Sequence, residues 1–180
     1  MWTIGVIVLT VAGIAFATWK KKELPRSMSA VVYELPSKWR GMWSVWIWAI
    51  MVLLSKPLLE AMPTWWEGLI GFALLATIGV IGALPLMPME VDVERPYESR
   101  RERWHMRLSV LAGVISQVCV LRINPWWLMV WVWWIPLSFC TIFFDDKPWW
   151  KQIEGVIEGK GMMLVELTAM ATVYGCLLFS

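Results

Sequence analysis

The sequence predicts an all-α protein, a polytopic bundle of six transmembrane helices, and three observations lead to this fold class. Hydrophobic residues make up 59% of the chain and the mean hydropathy is +0.60, which is too apolar for a soluble domain of 180 residues. The apolar residues form six runs, each close to the roughly 20 residues that a membrane-spanning helix needs. The basic residues are concentrated between alternate runs. The predicted spans of this single transmembrane domain are residues 2–19, 42–60, 66–88, 106–122, 125–144 and 161–179.

The distribution of positive charge predicts the orientation of these spans. Of the 16 Lys and Arg residues, all but Lys56 and Arg122 lie on one side of the six-span arrangement. The positive-inside rule places that side in the cytoplasm, so both termini are expected outside. The predicted cytoplasmic loops are residues 20–41, 89–105 and 145–160. Lys56 and Arg122 are interpreted as anchors at the outer surface, and the net charge of +2 does not indicate a nucleic-acid partner.

The first run resembles a signal peptide in position but not in pattern. No basic residue precedes it, and its lysines, Lys20 to Lys22, follow it. This order favours an uncleaved anchor with the N-terminus outside, while a cleaved signal peptide is the alternative.

The chain is rich in tryptophan, which prefers membrane–water interfaces because its ring is apolar and its N–H is a donor. Eleven of the 16 Trp residues fall at predicted span ends. These are Trp2, Trp19, Trp39, Trp43, Trp65, Trp66, Trp104, Trp126, Trp127, Trp149 and Trp150. These positions agree with the predicted spans and are independent of the charge distribution. The remaining five lie deeper, and they favour either bulky packing or an aromatic-lined cavity for an apolar or cationic ligand. Among these, Trp46, Trp131 and Trp134 are candidate ligand-binding residues.

Small residues recur at helical spacing in the third and fourth spans, and both stripes are interpreted as helix–helix contacts. The third span carries Gly68, Gly71, Gly79 and Gly82. The fourth carries Ser109, Ala112, Gly113, Ser116 and Gln117. Short matches between spans one and four, two and five, and three and six are also compatible with an inverted 3+3 repeat, an architecture found in transporters.

Two titratable residues stand at the cytoplasmic level of the membrane. Glu166 lies about five residues into the sixth span, where an unpaired carboxylate costs about 2.5 kcal/mol or more. His105, the single histidine, precedes the fourth span and shares a helix face with Ser109 and Ser116. A Glu166–His105 pair would satisfy both groups and could titrate near neutral pH. Glu166, His105, Ser109 and Ser116 are therefore candidates for a ligand or ion pathway.

Other kinds of site are not indicated by the sequence. The three Cys residues fall within predicted spans, at spacings that match neither a disulfide framework nor a metal site. We assign no catalytic residue, no metal ligand and no cofactor.

The stretch Ser27-Met28-Ser29-Ala30-Val31-Val32-Tyr33-Glu34-Leu35-Pro36, followed by Trp39, resembles a segment of uncharacterised small polytopic membrane proteins of gut bacteria and their phages. The resemblance covers about a fifth of the chain. It implies a bacterial inner membrane as the location and carries no assigned activity.

Three function classes remain. We favour a non-enzymatic subunit that binds a lipid or another ligand or forms a pore, with membrane lipids and a homo-oligomer or another membrane protein as partners. A small transporter or channel using Glu166 and His105 is the first alternative. A membrane-embedded lipid-modifying enzyme is the second alternative. Such an enzyme would need acidic residues, His or metal ligands at the same depth in the membrane.

Overall fold

The computed structural model describes residues 1–22, 25, 28, 31, 37–86, 100–133 and 161–180. These residues form helices and no strand, which confirms the all-α class. The α-helices are α1 (Trp2–Lys21), α2 (Ser37–Glu60), α3 (Trp65–Ala83), α4 (Arg100–Ile123) and α5 (Gly161–Leu178). A short 3₁₀ helix, Leu84–Leu86, extends α3, and a second one, Pro125–Trp133, follows α4.

Four of these helical segments are long and apolar enough to cross a membrane: Trp2–Lys21, Trp39–Glu60, Trp65–Leu86 and Arg103–Ile123. They coincide with the first four predicted spans. The segment Met163–Leu178, at the predicted sixth span, is apolar but shorter. The predicted fifth span begins with the 3₁₀ helix Pro125–Trp133 and continues outside the described residues. The count of six spans therefore stays a prediction.

The predicted loop 89–105 contains the start of a helix, and its boundary as a membrane loop stays a prediction. Helix α4 begins at Arg100, inside the predicted loop 89–105 and six residues before the predicted span. Arg and Glu are good helix formers, so the charged segment before the apolar run continues the helix. The predicted loop 145–160 lies outside the described residues.

Helix α1 continues through Lys21, two residues into the predicted loop 20–41. Lys22 follows in the left-handed conformation, with φ 61°, and this geometry ends the helix. Lys20 and Lys21 stand in the last turn, where positive charge interacts favourably with the helix dipole.

The five helices pack as a closed ring in the order α1, α2, α3, α4, α5 and back to α1. Neighbours from α1 to α4 run antiparallel. Gly5 lies near Leu53 and Gly13 near Trp46, and Gly71 lies near Leu59 and Gly79 near Met51. Glu67 at the start of α3 pairs with Arg122 at the end of α4. Helices α4 and α5 run parallel. Gln117 contacts Ala169 and Thr172, and further along both helices Cys119 and Val120 belong to the same buried cluster as Val173 and Cys176. One end of the ring, here called the terminal end, contains the helix ends at residues 2, 60, 65, 123 and 178. The opposite end, called the basic end, contains those at residues 21, 37, 83, 100 and 161.

The glycine stripe of α3 forms a close contact with α2, and this contact is called the glycine seam. A Cβ added at Gly82 would lie 2.7 Å from Trp48 Nε1, and one at Gly79 would lie 3.0 Å from the Met51 sulfur. Gly71 faces α2 as well, at ordinary van der Waals distance. The predicted seam is thus confirmed for three glycines, with the partner helix in the same chain. Gly68 does not take part, because a Cβ there would have no described heavy atom within 4 Å.

The terminal half of the ring is filled by apolar side chains from all five helices. Its buried members include Val6, Leu58, Leu74, Cys119 and Cys176. Their close packing removes apolar surface from contact with solvent or lipid chains and closes this half of the bundle.

An ion pair joins α3 and α4 at the terminal end. Arg122 Nη2 lies 2.6 Å from Glu67 Oε1, and the Arg122 guanidinium lies 4.4 Å from the centre of the Trp66 ring. The Thr64 hydroxyl donates to the other oxygen of Glu67 at 2.5 Å. The interpretation of Arg122 as an outward-reaching anchor is therefore incomplete, because its side chain also links two helices.

Candidate functional site

A cavity of about 190 Å³ lies inside the ring, between α2, α3, α4 and α5. It extends from the basic end past the middle of the bundle, where the packed terminal half closes it. Along α4 it runs from His105 to Ser116, which are 11 residues apart and hence separated by about 16 Å along the helix axis.

Two helices supply an apolar wall. Helix α2 contributes large side chains at successive turns because residues three and four apart share a helix face. Helix α3, which lies next to α2 in the ring, adds aliphatic side chains to the same wall. The main apolar lining residues are Trp43, Trp46, Ile47, Ile50, Ile78 and Ile81.

Helix α4 supplies a wall of small and polar residues. His105, Ser109, Ala112 and Ser116 follow one another at helical spacing, and all face the cavity together with Gly113. This stripe was predicted to be a helix–helix contact; at its Gln117 end it contacts Ala169 and Thr172 of α5, and for the rest of its length the contact stays a prediction. In the described part of the chain, a Cβ at Gly113 would have no neighbouring heavy atom within 4 Å. The stripe borders the cavity at this point, since none of the described helices occupies the space in front of Gly113.

Glu166 on α5 stands at the basic end of the cavity. Its carboxylate accepts a hydrogen bond of 2.5 Å from the backbone N–H of Met28, which also lines the cavity. His105 lines the same end and is only 4% exposed. A carboxylate and an imidazole are therefore brought to one compartment, where each can bind a polar group of a ligand.

The two serines of the α4 wall differ in their hydrogen bonding. Ser116 donates to the Gly113 carbonyl at 2.7 Å, which satisfies its hydroxyl within the helix. Ser109 Oγ is buried and has no hydrogen-bond partner among the described residues. A buried hydroxyl without a partner loses favourable energy, so a ligand or water in the cavity would be stabilised beside Ser109.

A polar network closes the cavity wall between α4 and α5. Gln117 donates weakly to the Ala169 carbonyl at 3.4 Å, and its Oε1 accepts from the Trp131 indole N–H at 2.8 Å. The Thr172 hydroxyl lies 3.1 Å from the same oxygen. These bonds hold α4 and α5 side by side, with the 3₁₀ helix Pro125–Trp133 packed against both.

Tyr174 closes the ring on the side of α1. Its side chain lines the cavity, and its hydroxyl lies 3.0 Å from the hydroxyl of Thr10. This hydrogen bond joins α1 and α5, so α1 completes the ring without contributing to the cavity wall.

Five of the seven candidate residues from the sequence line this cavity: Trp46, His105, Ser109, Ser116 and Glu166. Trp131 does not line it and instead binds Gln117 behind the α4 wall. Trp134 lies outside the described residues.

Sequence reasoning missed several residues of the site. Trp43 was expected at the membrane interface, but it is 4% exposed and lines the cavity beside Trp46. Its spacing of three residues from Trp46 was the available signal, because such residues share a helix face. Tyr174 and Met28 were also missed, and only the packing of the helices reveals their position.

In the part of the chain that the structure describes, no group of three or more His, Cys, Asp or Glu side chains could hold a metal ion. No protein-family model matches the chain, and no curated protein and no solved structure matches it either.

Proposed function

We propose that the protein is a non-enzymatic membrane subunit that binds one small amphipathic molecule, such as a lipid with a single alkyl chain, in the cavity between α2 and α5. The observation that supports this function is the contrast between the two cavity walls. Trp43, Ile47 and Ile78 offer an apolar surface, while His105 and Glu166 place ionisable groups at one end. Ligand sites are typically apolar with a few polar groups that fix the orientation of the ligand.

The size of the cavity favours a ligand chain over a bulky ligand. Its volume of about 190 Å³ is small for a ligand site. A compact drug-sized molecule needs a pocket of about 300 Å³ or more. A narrow space about 16 Å long, as measured along α4, fits an extended chain with its polar group near Glu166.

We propose a location in a bacterial inner membrane, with six spans and both termini outside. The parallel course of α4 and α5 supports an additional crossing, because the chain has to return from residue 123 at the terminal end to residue 161 at the basic end. The predicted span 125–144 would provide that crossing. Under this topology the polar end of the cavity faces the inner leaflet.

The packing of the terminal half supports binding over pore formation. Leu58, Leu74 and Val120 are each no more than 2% exposed, and they belong to the cluster that fills this half. A pore would need a continuous polar path at this level.

A small transporter or channel is a second candidate. Its support is that Glu166 and His105, the two titratable groups expected to act together, line the same end of one cavity. A transporter or channel would require the packed terminal half to open during transport. Ligand binding needs no such opening and is therefore the simpler proposal.

Native mass spectrometry of the protein released from its own membrane tests the proposal. We expect a stoichiometric bound amphiphile on the wild-type protein. Gly113→Leu should remove it, because the added side chain occupies the cavity. Gly68→Leu is the matched control, since it adds the same side chain on α3 at a position that also lacks described neighbours and does not line the cavity.

Loss of the bound molecule in both glycine variants, or in neither, would contradict the proposed site. The mass of the intact complex reports in the same experiment whether the protein is an oligomer.

A further inference from the structure

A second apolar space lies on the outside of the ring, between α1 and α2 near the basic end. This groove also has a volume of about 190 Å³ and is lined by Ala12, Gly13, Phe16, Met42, Trp43 and Trp46. Trp43 and Trp46 line the internal cavity as well. A single pair of indole rings therefore separates the groove from the cavity.

The groove faces away from the bundle. Ala12 is exposed, and Met42 is 43% exposed. Both belong to segments that are long and apolar enough to cross a membrane, so their exposed faces would contact lipid chains. Residues 12–16 lie in the half of α1 that ends at Lys21, and Met42 lies near the start of α2. The groove is therefore at the level of the leaflet next to the basic end.

The partition consists of side chains and not of backbone. The Trp46 indole N–H donates to the Leu9 carbonyl at 2.8 Å, and the ring rests in a notch at Gly13 where any Cβ would overlap it. Its other face packs against Trp43, with ring centres 4.3 Å apart. A change of the Trp46 rotamer, which breaks one hydrogen bond, would join the groove to the cavity.

We propose that the groove is a lateral portal through which the alkyl chain of an inner-leaflet lipid reaches the cavity, with Trp46 as its movable wall. This inference rests on the proposed ligand-binding function and adds the source of the ligand and its route. The groove binds the chain first, and the chain passes into the cavity when Trp46 leaves the notch at Gly13. The headgroup stays at the basic end, at the level of Glu166.

Timed photolabelling tests this route. The probe is a lysophosphatidylethanolamine with a diazirine in its single chain, added to inverted membrane vesicles so that it inserts into the leaflet next to the basic end. Peptide mapping then follows the labelling of Phe16, which lines only the groove, and of Ile78 and Ile81, which line only the cavity. Wild-type protein should be labelled in the groove first and in the cavity later.

A variant with a blocked groove, Ala12→Leu with Met42→Trp, should label Ile78 and Ile81 about tenfold more slowly than wild type. Val45→Trp is the matched control, because Val45 is 62% exposed on the same helix and lines neither space. It should label at the wild-type rate. Probe added to spheroplasts, where the opposite leaflet is exposed, should label the cavity more slowly than probe added to inverted vesicles.

A second variant should accelerate cavity labelling. It tests the portal even if the variant with the blocked groove does not fold. Trp46→Phe removes the hydrogen bond to Leu9, so cavity labelling should become about fivefold faster, the kinetic equivalent of one neutral hydrogen bond.

The outcomes separate the portal from the function on which it rests. Cavity labelling at the wild-type rate in the blocked variant, or an unchanged rate in Trp46→Phe, would overturn the portal and leave ligand binding intact. Absence of cavity labelling in the wild-type protein at long times would overturn both.

Discussion

Helices α3 and α4 both carry a stripe of small residues, yet the two stripes have opposite surroundings. On α3, Gly79 and Gly82 allow α2 to approach so closely that no Cβ would fit without movement of Met51 or Trp48. On α4, Gly113 faces an open cavity. Small residues at helical spacing therefore identify a face on which the chain leaves space. Whether a helix or a ligand fills that space depends on the neighbouring helices.

The two stripes differ in the packing contacts and hydrogen-bond partners that each surface has. In the glycine seam, dispersion contacts between close backbones and side chains stabilise the pair of helices. On the α4 wall, a Cβ at Gly113 would have no described neighbour within 4 Å, and Ser109 has a buried hydroxyl without a described partner. The seam is formed within the chain, whereas the α4 wall borders a cavity in the described part of the protein.

The largest expected effect is at the glycine seam. Gly82→Leu should destabilise the protein by about 3 kcal/mol, because the new side chain overlaps Trp48 and Ile47 and overpacking of this kind is costly. Gly79→Leu with Gly82→Leu should destabilise it further. Thermal unfolding followed by size-exclusion chromatography measures the loss, with Gly68→Leu as the control on the same helix. Wild-type stability of the double variant would contradict the seam.

A smaller effect is expected where the α4 wall is joined to α5. Gln117→Leu should cost about 2 kcal/mol, because it leaves the Trp131 indole N–H without its acceptor and removes a bond to Ala169. Gln117→Glu keeps an acceptor for Trp131 and serves as the comparison in the same unfolding assay. If Gln117→Leu is as stable as wild type, the network does not hold α4 against α5.

The ion pairs of the terminal end should give a still smaller effect. Glu67→Gln should lower the free energy of unfolding by less than Gln117→Leu does, because Glu67 pairs with Arg122, which is 44% exposed and partly screened by solvent. Glu60→Gln is the matched control, since the Lys56–Glu60 pair is exposed and 3.9 Å apart. Denaturant titration of both variants should rank Glu67 above Glu60, and the reverse order would contradict the role of Glu67 as a link between α3 and α4.

The smallest effect on stability is expected at the α4 wall itself. Gly113→Leu should change the free energy of unfolding by less than about 1 kcal/mol, because the side chain enters existing space and leucine is the better helix former. The same unfolding assay compares it with Gly82→Leu. A loss as large as that of Gly82→Leu would show that the cavity is closed in the native protein.

Much of the fold follows from the sequence. The apolar runs predict the four long helices because a buried or lipid-exposed backbone has to satisfy its own hydrogen bonds. The start of α4 at Arg100 does not follow from the apolar run, since charged residues end such a run without ending a helix. The predicted fifth span and the inverted repeat are not tested by the described residues.

The candidate site was predictable in its residues and not in its shape. Glu166 and His105 stand out because a membrane makes such groups costly, and both line the cavity. Their neighbours Trp43, Met28 and Tyr174 carry no such signal. The cavity itself arises from the distance between α2 and α4 across the ring, which depends on the packing of all five helices and cannot be inferred from the periodicity of one.

The most direct test of the account is a density map of the protein in discs of its native membrane. We expect an elongated density about 16 Å long between the levels of Glu166 and Ser116, in contact with Trp46 and Ile78 and separated from Gly113 only by van der Waals distance. A map in which α2 or α3 closes directly on Gly113, with no density between the helices, would contradict the proposed binding site.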